Sequence, residues 1–275
     1  MISLKESILS ATKVGKFDEY SSLKREHAHP KDKEELKSTI EKAIELKGYN
    51  VDLNWIDVSG ITDMKDLFER SEFNGDISKW DVSNVKDMHN MFLGAEFNGD
   101  ISKWNVSKVE TMRGTFCGSK FKGDISKWNV SKVEDMGFMF QNTSFNGDLS
   151  KWDVSKVEDM SYMFNGSKFN GDISKWDVSN VENMGYMFWY SEFNGDISKW
   201  DVSKVILMTY MFANSKFNGD ISNWNVSNVE YMSYMFMESE FTGDISKWDV
   251  SKVEKWKCMF TRCKLGKKLP AWYKK

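Results

Sequence analysis

The chain is poor in cysteine, histidine and proline: 275 residues hold three cysteines, three histidines and two prolines. An odd, sparse set of cysteines (Cys117, Cys258 and Cys263) argues against a disulfide scaffold. With His27, His29 and His89 as the only imidazoles, a zinc site lacks ligands. No apolar run approaches the roughly 18 residues of a membrane span, so membrane insertion is not expected. The formal net charge of −3 supplies no broad basic field, so a nucleic-acid partner is not expected either. A Ser–His–Asp set, a metal triad and a phosphate loop are all missing, which predicts a protein without catalysis, cofactor or metal. The opening stretch, MISLKESILSATKVGKFDEY, lacks an unbroken apolar segment and carries Glu6. It does not read as a secretory signal peptide, and no lipid-attachment cysteine follows it, so the chain as written reads as cytoplasmic.

What the sequence has in abundance is one sentence, repeated. FNGDISKWDVSNVKDMHNMF, from Phe73 to Phe92, returns 24 residues later as FNGDISKWNVSKVETMRGTF, from Phe97 to Phe116. The opening phenylalanine recurs at Phe121, Phe145, Phe169, Phe193, Phe217 and Phe241, with a tryptophan seven residues after each, from Trp80 to Trp248. A constant period means equal coils stacked in register, and degenerate units at both ends suit the terminal coils of such a stack. Within one unit, Ile77-x-x-Trp80-x-Val82 has the L-x-x-L-x-L spacing of a leucine-rich repeat. Alternation over Lys79 to Ser83 predicts a short strand, pairing in parallel with its neighbours at about 4.8 Å. A capping box such as Ser107–Glu110, followed by apolar residues like Val85, Met88, Met91 and Phe92 on one face, predicts a short helix. Gly94, Gly118, Asn142, Gly166 and Asn214 then read as left-handed caps, and Asn-Gly in FNGD as a turn. The Trp and Met columns read as core, Met being suited to irregular space.

The expected fold is an α/β repeat solenoid, leucine-rich-repeat-like and right-handed, of about nine to ten coils, each a short parallel strand plus a short helix. Residues 1–48 do not repeat. HPKDKEELKSTIEKAIELKG predicts a helix between Pro30 and Gly48 with Leu36, Ile40, Ala43 and Ile44 on one face. The division is thus 1–48, a helical cap, and 49–275, the solenoid. Residues 1–29 read as a smaller helix plus a mobile segment.

Function is expected where the ladder breaks. The column Asp76, Asp100, Asp124, Asp148, Asp172, Asp196, Asp220 and Asp244 offers carboxylates to calcium, but each follows Asn-Gly or a close variant, where Asp bonds turn backbone. Lys79, Asp81 and Ser83 and their repeats form a charge-balanced face that would suit a repetitive glycan. The sharper candidate lies opposite the core on the expected helix. There Phe138, Tyr162, Tyr186, Tyr210 and Tyr234 form an aromatic column, and on its flank Trp189-Tyr190 and Ile206-Leu207 replace the usual polar residues. An exposed aromatic and aliphatic patch marks a contact surface for a protein partner or for a second copy.

The W-[DN]-V-S-x-V core followed by M-F resembles the repeats of BspA-like leucine-rich-repeat surface proteins and related repeats of mycoplasma surface lipoproteins. The lead-in DLNWIDVSGITDMKDLF, Asp52 to Phe68, is similar too. The resemblance covers roughly residues 30 to 272. It implies a leucine-rich-repeat-like solenoid with a binding, often adhesive, role on a bacterial surface. One difference is that the asparagine position of the commonest leucine-rich repeats is occupied by Val85, Val109 and their equivalents.

Overall fold

The structure, a computed structural model, describes residue 16, residues 18–266 and residues 268–274. Residues 1–15, on which the signal-peptide reading and part of the reading of 1–29 rest, lie outside the described residues. Helix α1 covers 18–26. Helix α2 runs Lys33–Lys47: the Asp32 side chain accepts the Glu35 N–H at its start, and Gly48, at φ 86°, ends it. Leu36, Thr39, Ile40, Ala43 and Leu46 are the buried side of α2, and Ile44 is half-buried. Tyr20 of α1 joins the first coil, its ring edge-on to Trp55 and its hydroxyl accepting the Trp55 N–H at 3.0 Å.

From Tyr49 onward each 24-residue unit forms one coil lying against the next. Neither the expected strand nor the expected helix is present in the coils among the described residues. Lys79–Ser83 is turn and extended backbone, and 85–92 is a chain of turns around one isolated bridge residue, Asp87. Eight parallel bridges, from Asp63↔Asp87 to Tyr231↔Lys255, link successive coils at this position. The reason is visible in the backbone. Asn90 and Gly94 sit at φ 54° and 63°, and every later coil repeats two left-handed residues four apart. A left-handed residue in every turn prevents an i→i−4 ladder from propagating. Instead Met91 and Leu93 N–H close tight turns onto Met88 and Asn90 C=O. The alternate N–H groups of Met88, Asn90, Phe92 and Gly94 are left to point at the next coil, where they donate to Thr111, Arg113, Thr115 and Cys117 C=O. Four such bonds recur at each of the eight junctions. The glycines and asparagines expected as left-handed caps do adopt that conformation, although they cap no helix. Ser107 N–H bonds Asn105 Oδ1 and starts no helix.

The core is a set of parallel columns. In one coil Ile77, Trp80, Val82, Val85, Met88, Met91, Phe92 and Phe97 are at most 4% exposed. Each contributes about 1.5–3 kcal/mol on burial. Rings stack coil upon coil: Phe92 on Phe116 at 5.7 Å, Phe97 on Phe121 at 6.4 Å and Trp104 on Trp128 at 6.5 Å. Every tryptophan of the repeat column, from Trp80 to Trp272, finds an acceptor for its N–H in the preceding coil, as Trp104 does on Ile77 C=O.

The Asn of FNGD makes a ladder that the turn reading missed. Asn74 Oδ1 accepts Asn98 N–H, Asn146 accepts Asn170, Asn170 accepts Asn194, and Asn194 accepts Asn218, all at 2.7–2.9 Å. Lys122 occupies this position in one coil and has no acceptor oxygen. At that junction, among the described residues, neither Ser144 N–H nor Asn146 N–H bonds the preceding coil, whereas both positions do at the other junctions from Glu96 to Thr242. The Gly of FNGD is required by contact rather than by a turn: a Cβ on Gly171 would lie 2.9 Å from the Phe169 ring.

Candidate functional site

The aromatic column is one continuous stack, although the helix that was to carry it is absent. Phe138 lies on Tyr162 at 4.4 Å, Tyr162 on Tyr186 at 4.3 Å, Tyr186 on Tyr210 at 4.8 Å and Tyr210 on Tyr234 at 4.5 Å. Trp189 packs edge-on to Tyr186 and tilted against Tyr190 and Tyr210. Its ring N–H is buried without an acceptor among the described residues, while Tyr190 is 58% exposed. Leu207 lines a depression of about 390 Å³ together with Phe138, Tyr162 and Tyr186. Ile206 is half-buried and does not line it.

All five rings of the column sit at φ 57–61°. Bulky side chains rarely adopt this region, which costs about 1–2 kcal/mol per residue. Two earlier coils fill the same position with Asn90 and Gly114, for which the conformation is cheap. Stacking returns about 0.5–1.5 kcal/mol per pair beyond ring burial, so part of what the rings contribute to the fold is offset by the backbone they occupy.

Their spacing reveals curvature. Equivalent atoms of successive coils are displaced by one rigid step, and the displacement grows with distance from the axis of that step. Tyrosine rings are 4.3–4.8 Å apart. The inner Phe column steps by 5.5–5.9 Å and the Trp column by 6.4–6.5 Å. The tyrosine side is therefore the concave side of the stack.

Sequence reading missed the polar rim. The Arg113 guanidinium lies 4.6 Å from the Phe138 ring centre and pairs with Asp135 at 3.3 Å and Asp159 at 3.2 Å. Ser161, Asn183 and Thr209 complete the lining. Arg113 is the only arginine in its repeat column, a signal open to inspection. Burial, and then the neighbouring Tyr162, push the Tyr186 hydroxyl above its ordinary pKa; burial does the same at Tyr210.

The two polar columns are engaged locally. Each aspartate from Asp76 to Asp244 accepts a backbone N–H two residues on, as at Ser78 and Ser246. That N–H holds the Asp76 carboxyl below its ordinary pKa. Asp81 does the same for Ser83.

Four overlapping segments, 34–144, 95–192, 117–216 and 168–272, match one family model. No curated protein and no solved structure matches the chain. The chain belongs to the family described as "Mycoplasma protein of unknown function, DUF285".

Proposed function

We propose that this chain is a non-catalytic binding module of the leucine-rich-repeat kind, a curved solenoid that takes a protein partner on its concave tyrosine face. The observation that carries this reading is the five-ring stack held in left-handed backbone, where Asn90 and Gly114 serve the fold more cheaply. Backbone strain of this sort is maintained where a surface has work beyond folding. Tyrosine and tryptophan supply large, rigid contact area, and Arg113 with Asp159 adds a polar, charged end to it. Concave faces of stacked repeats form extended binding surfaces. A glycan on the Lys79–Asp81–Ser83 face is less favoured, because those carboxylates are occupied by their own backbone.

The test is a displayed-peptide library selected on the full chain, with the recovered peptides measured against the Trp189→Ala, Leu207→Glu double variant. Both positions lie outside the buried core, so the variant should keep the parent's circular dichroism. Loss of about tenfold or more in affinity supports the concave face. Peptides that bind both proteins equally place binding elsewhere and overturn the proposal.

A further inference from the structure

The inter-coil ladder ends in unpaired backbone groups at two edges, and they are complementary; α2 flanks one edge, with Lys33 paired to Asp63 at 3.1 Å, and Trp272 and Tyr273 pack beside Trp256 and Phe260 at the other. In every coil up to Met232–Glu238 the four alternating N–H groups meet carbonyls of the next coil. In the coil that follows, Trp256, Cys258, Phe260 and Arg262 N–H meet none among the described residues. Lys264 N–H still bonds Ser239 C=O, and beyond it Trp272 continues the tryptophan column through Ile245 C=O, while Tyr273 packs edge-on against Phe260. At the opposite edge the carbonyls of Asp63, Lys65, Leu67 and Glu69 receive no donor among the described residues, although their counterparts in the next coil do. Unpaired ladder edges are templates for further pairing.

We infer that copies of this chain associate head to tail, the Trp256–Arg262 edge of one copy pairing with the Asp63–Glu69 edge of another. The pairing repeats the four-bond step already made at eight junctions. Three further observations point the same way. A groove of about 550 Å³ lies between α2 and residues 66–72, beside the acceptor edge. Within it, one carboxylate oxygen of Asp66 is buried without a hydrogen-bond donor among the described residues. The charges also match. Five carboxylates against two cations line the groove, whereas residues 252–264 of the donor edge carry five cations against Glu254, Arg262 and Lys264 being paired with Glu238 and Glu240 of the preceding coil. Such a contact joins two different surfaces and does not close on itself, so it builds an open chain of copies rather than a dimer. Because exposed charges guide it, added salt weakens it.

The experiment is sedimentation equilibrium of the full chain over a wide concentration range, at low and high salt. The expected result is a mass that rises past the dimer without a plateau, and less so at high salt. A donor-edge variant, Lys255→Glu with Lys257→Glu and Arg262→Glu, should weaken association by about tenfold or more. An acceptor-edge variant, Glu41→Lys with Glu69→Lys and Glu72→Lys, should do the same. All six side chains are exposed, so both variants should fold. Mixed together, the two variants have complementary charge again and should regain open-ended growth. A chain that is monomeric at every concentration overturns the inference. So does a plateau at the dimer, or association lost in the Trp189→Ala, Leu207→Glu variant and untouched by the charge reversals.

Discussion

On the tyrosine side, successive coils meet through four backbone bonds per junction, with rings 4.3–4.8 Å apart. On the opposite side the coils stand further apart, with rings at 6.1–6.5 Å. There the gap is spanned largely by side chains, the Asn ladder and the tryptophan N–H groups. A face bonded through backbone accepts almost any side chain, whereas a face bonded through side chains must repeat them. The sequence obeys this division. The bridge column reads Asp135, Asp159, Asn183, Leu207 and Tyr231, changing as it goes, while Trp, Phe and most of the Asn positions recur unchanged. Variation is greatest on the concave face, where it is cheap and where the proposed partner would be read.

The comparison breaks most sharply at the tryptophan column. Trp152→Ala should destabilise by about 3–5 kcal/mol through the cavity it leaves and the lost bond to Ile125 C=O. A urea midpoint within experimental error of the parent would refute the account of the convex side. Asn170→Ala removes the acceptor for Asn194 N–H and should cost about 0.5–1.5 kcal/mol in the same assay. Asn170→Asp, which keeps an oxygen there, should cost less. Tyr210→Asn gives up two stacked pairs worth about 0.5–1.5 kcal/mol each against relief of about 1–2 kcal/mol of backbone cost, so stability should fall by no more than about 2 kcal/mol, less than for Trp152→Ala. Affinity for any concave-face peptide should nonetheless fall.

The smallest effects per group are the pH limbs, and they separate the two faces. The Asp76 to Asp244 carboxyls are held below 3.8 in the folded chain by backbone N–H and Ser hydroxyl groups. Their contribution is complete above that value and disappears as pH falls below it. Tyr186 and Tyr210 are raised above 10.0 by burial, so their contribution is complete below that value and is lost as pH rises through the folded pKa. Thermal melts across pH should show an acid limb untouched by Tyr210→Asn and an alkaline limb that it reduces. An acid limb that moves with Tyr210 would contradict this assignment.

The period and the identity of the core columns were legible because a 24-residue repeat forces every inward position to recur. The local conformation was not. Val85, Met88, Met91 and Phe92 follow a spacing that a helix and a chain of i→i+3 turns share. Nothing in Tyr162 or Tyr186 announces a left-handed backbone, since bulky residues usually avoid it. The column of Phe138, Tyr162, Tyr186, Tyr210 and Tyr234 was found through a helical wheel that does not exist. It was found because residues at equal repeat positions stack whatever the local backbone. Asn-Gly pointed to a turn, and concealed an Asn that bonds the neighbouring coil and a Gly that makes room for a ring. Arg113 was overlooked because its partners, Asp135 and Asp159, lie one and two coils away.

Lys122 gives the stack a seam. On its convex side the junction between the Phe121 and Phe145 coils lacks both cross-coil bonds that its neighbours make, yet the concave-side ladder and the Trp152 bond run through it intact. Such a joint behaves as a hinge with one leaf pinned: it can gape along the convex edge while the concave edge stays closed. Amide protons beside it should then exchange through an opening that leaves the rest of the stack protected. Flexing at that line would alter the arc of the concave face without unpairing it, and on the proposed binding reading would let one array meet partners of different curvature.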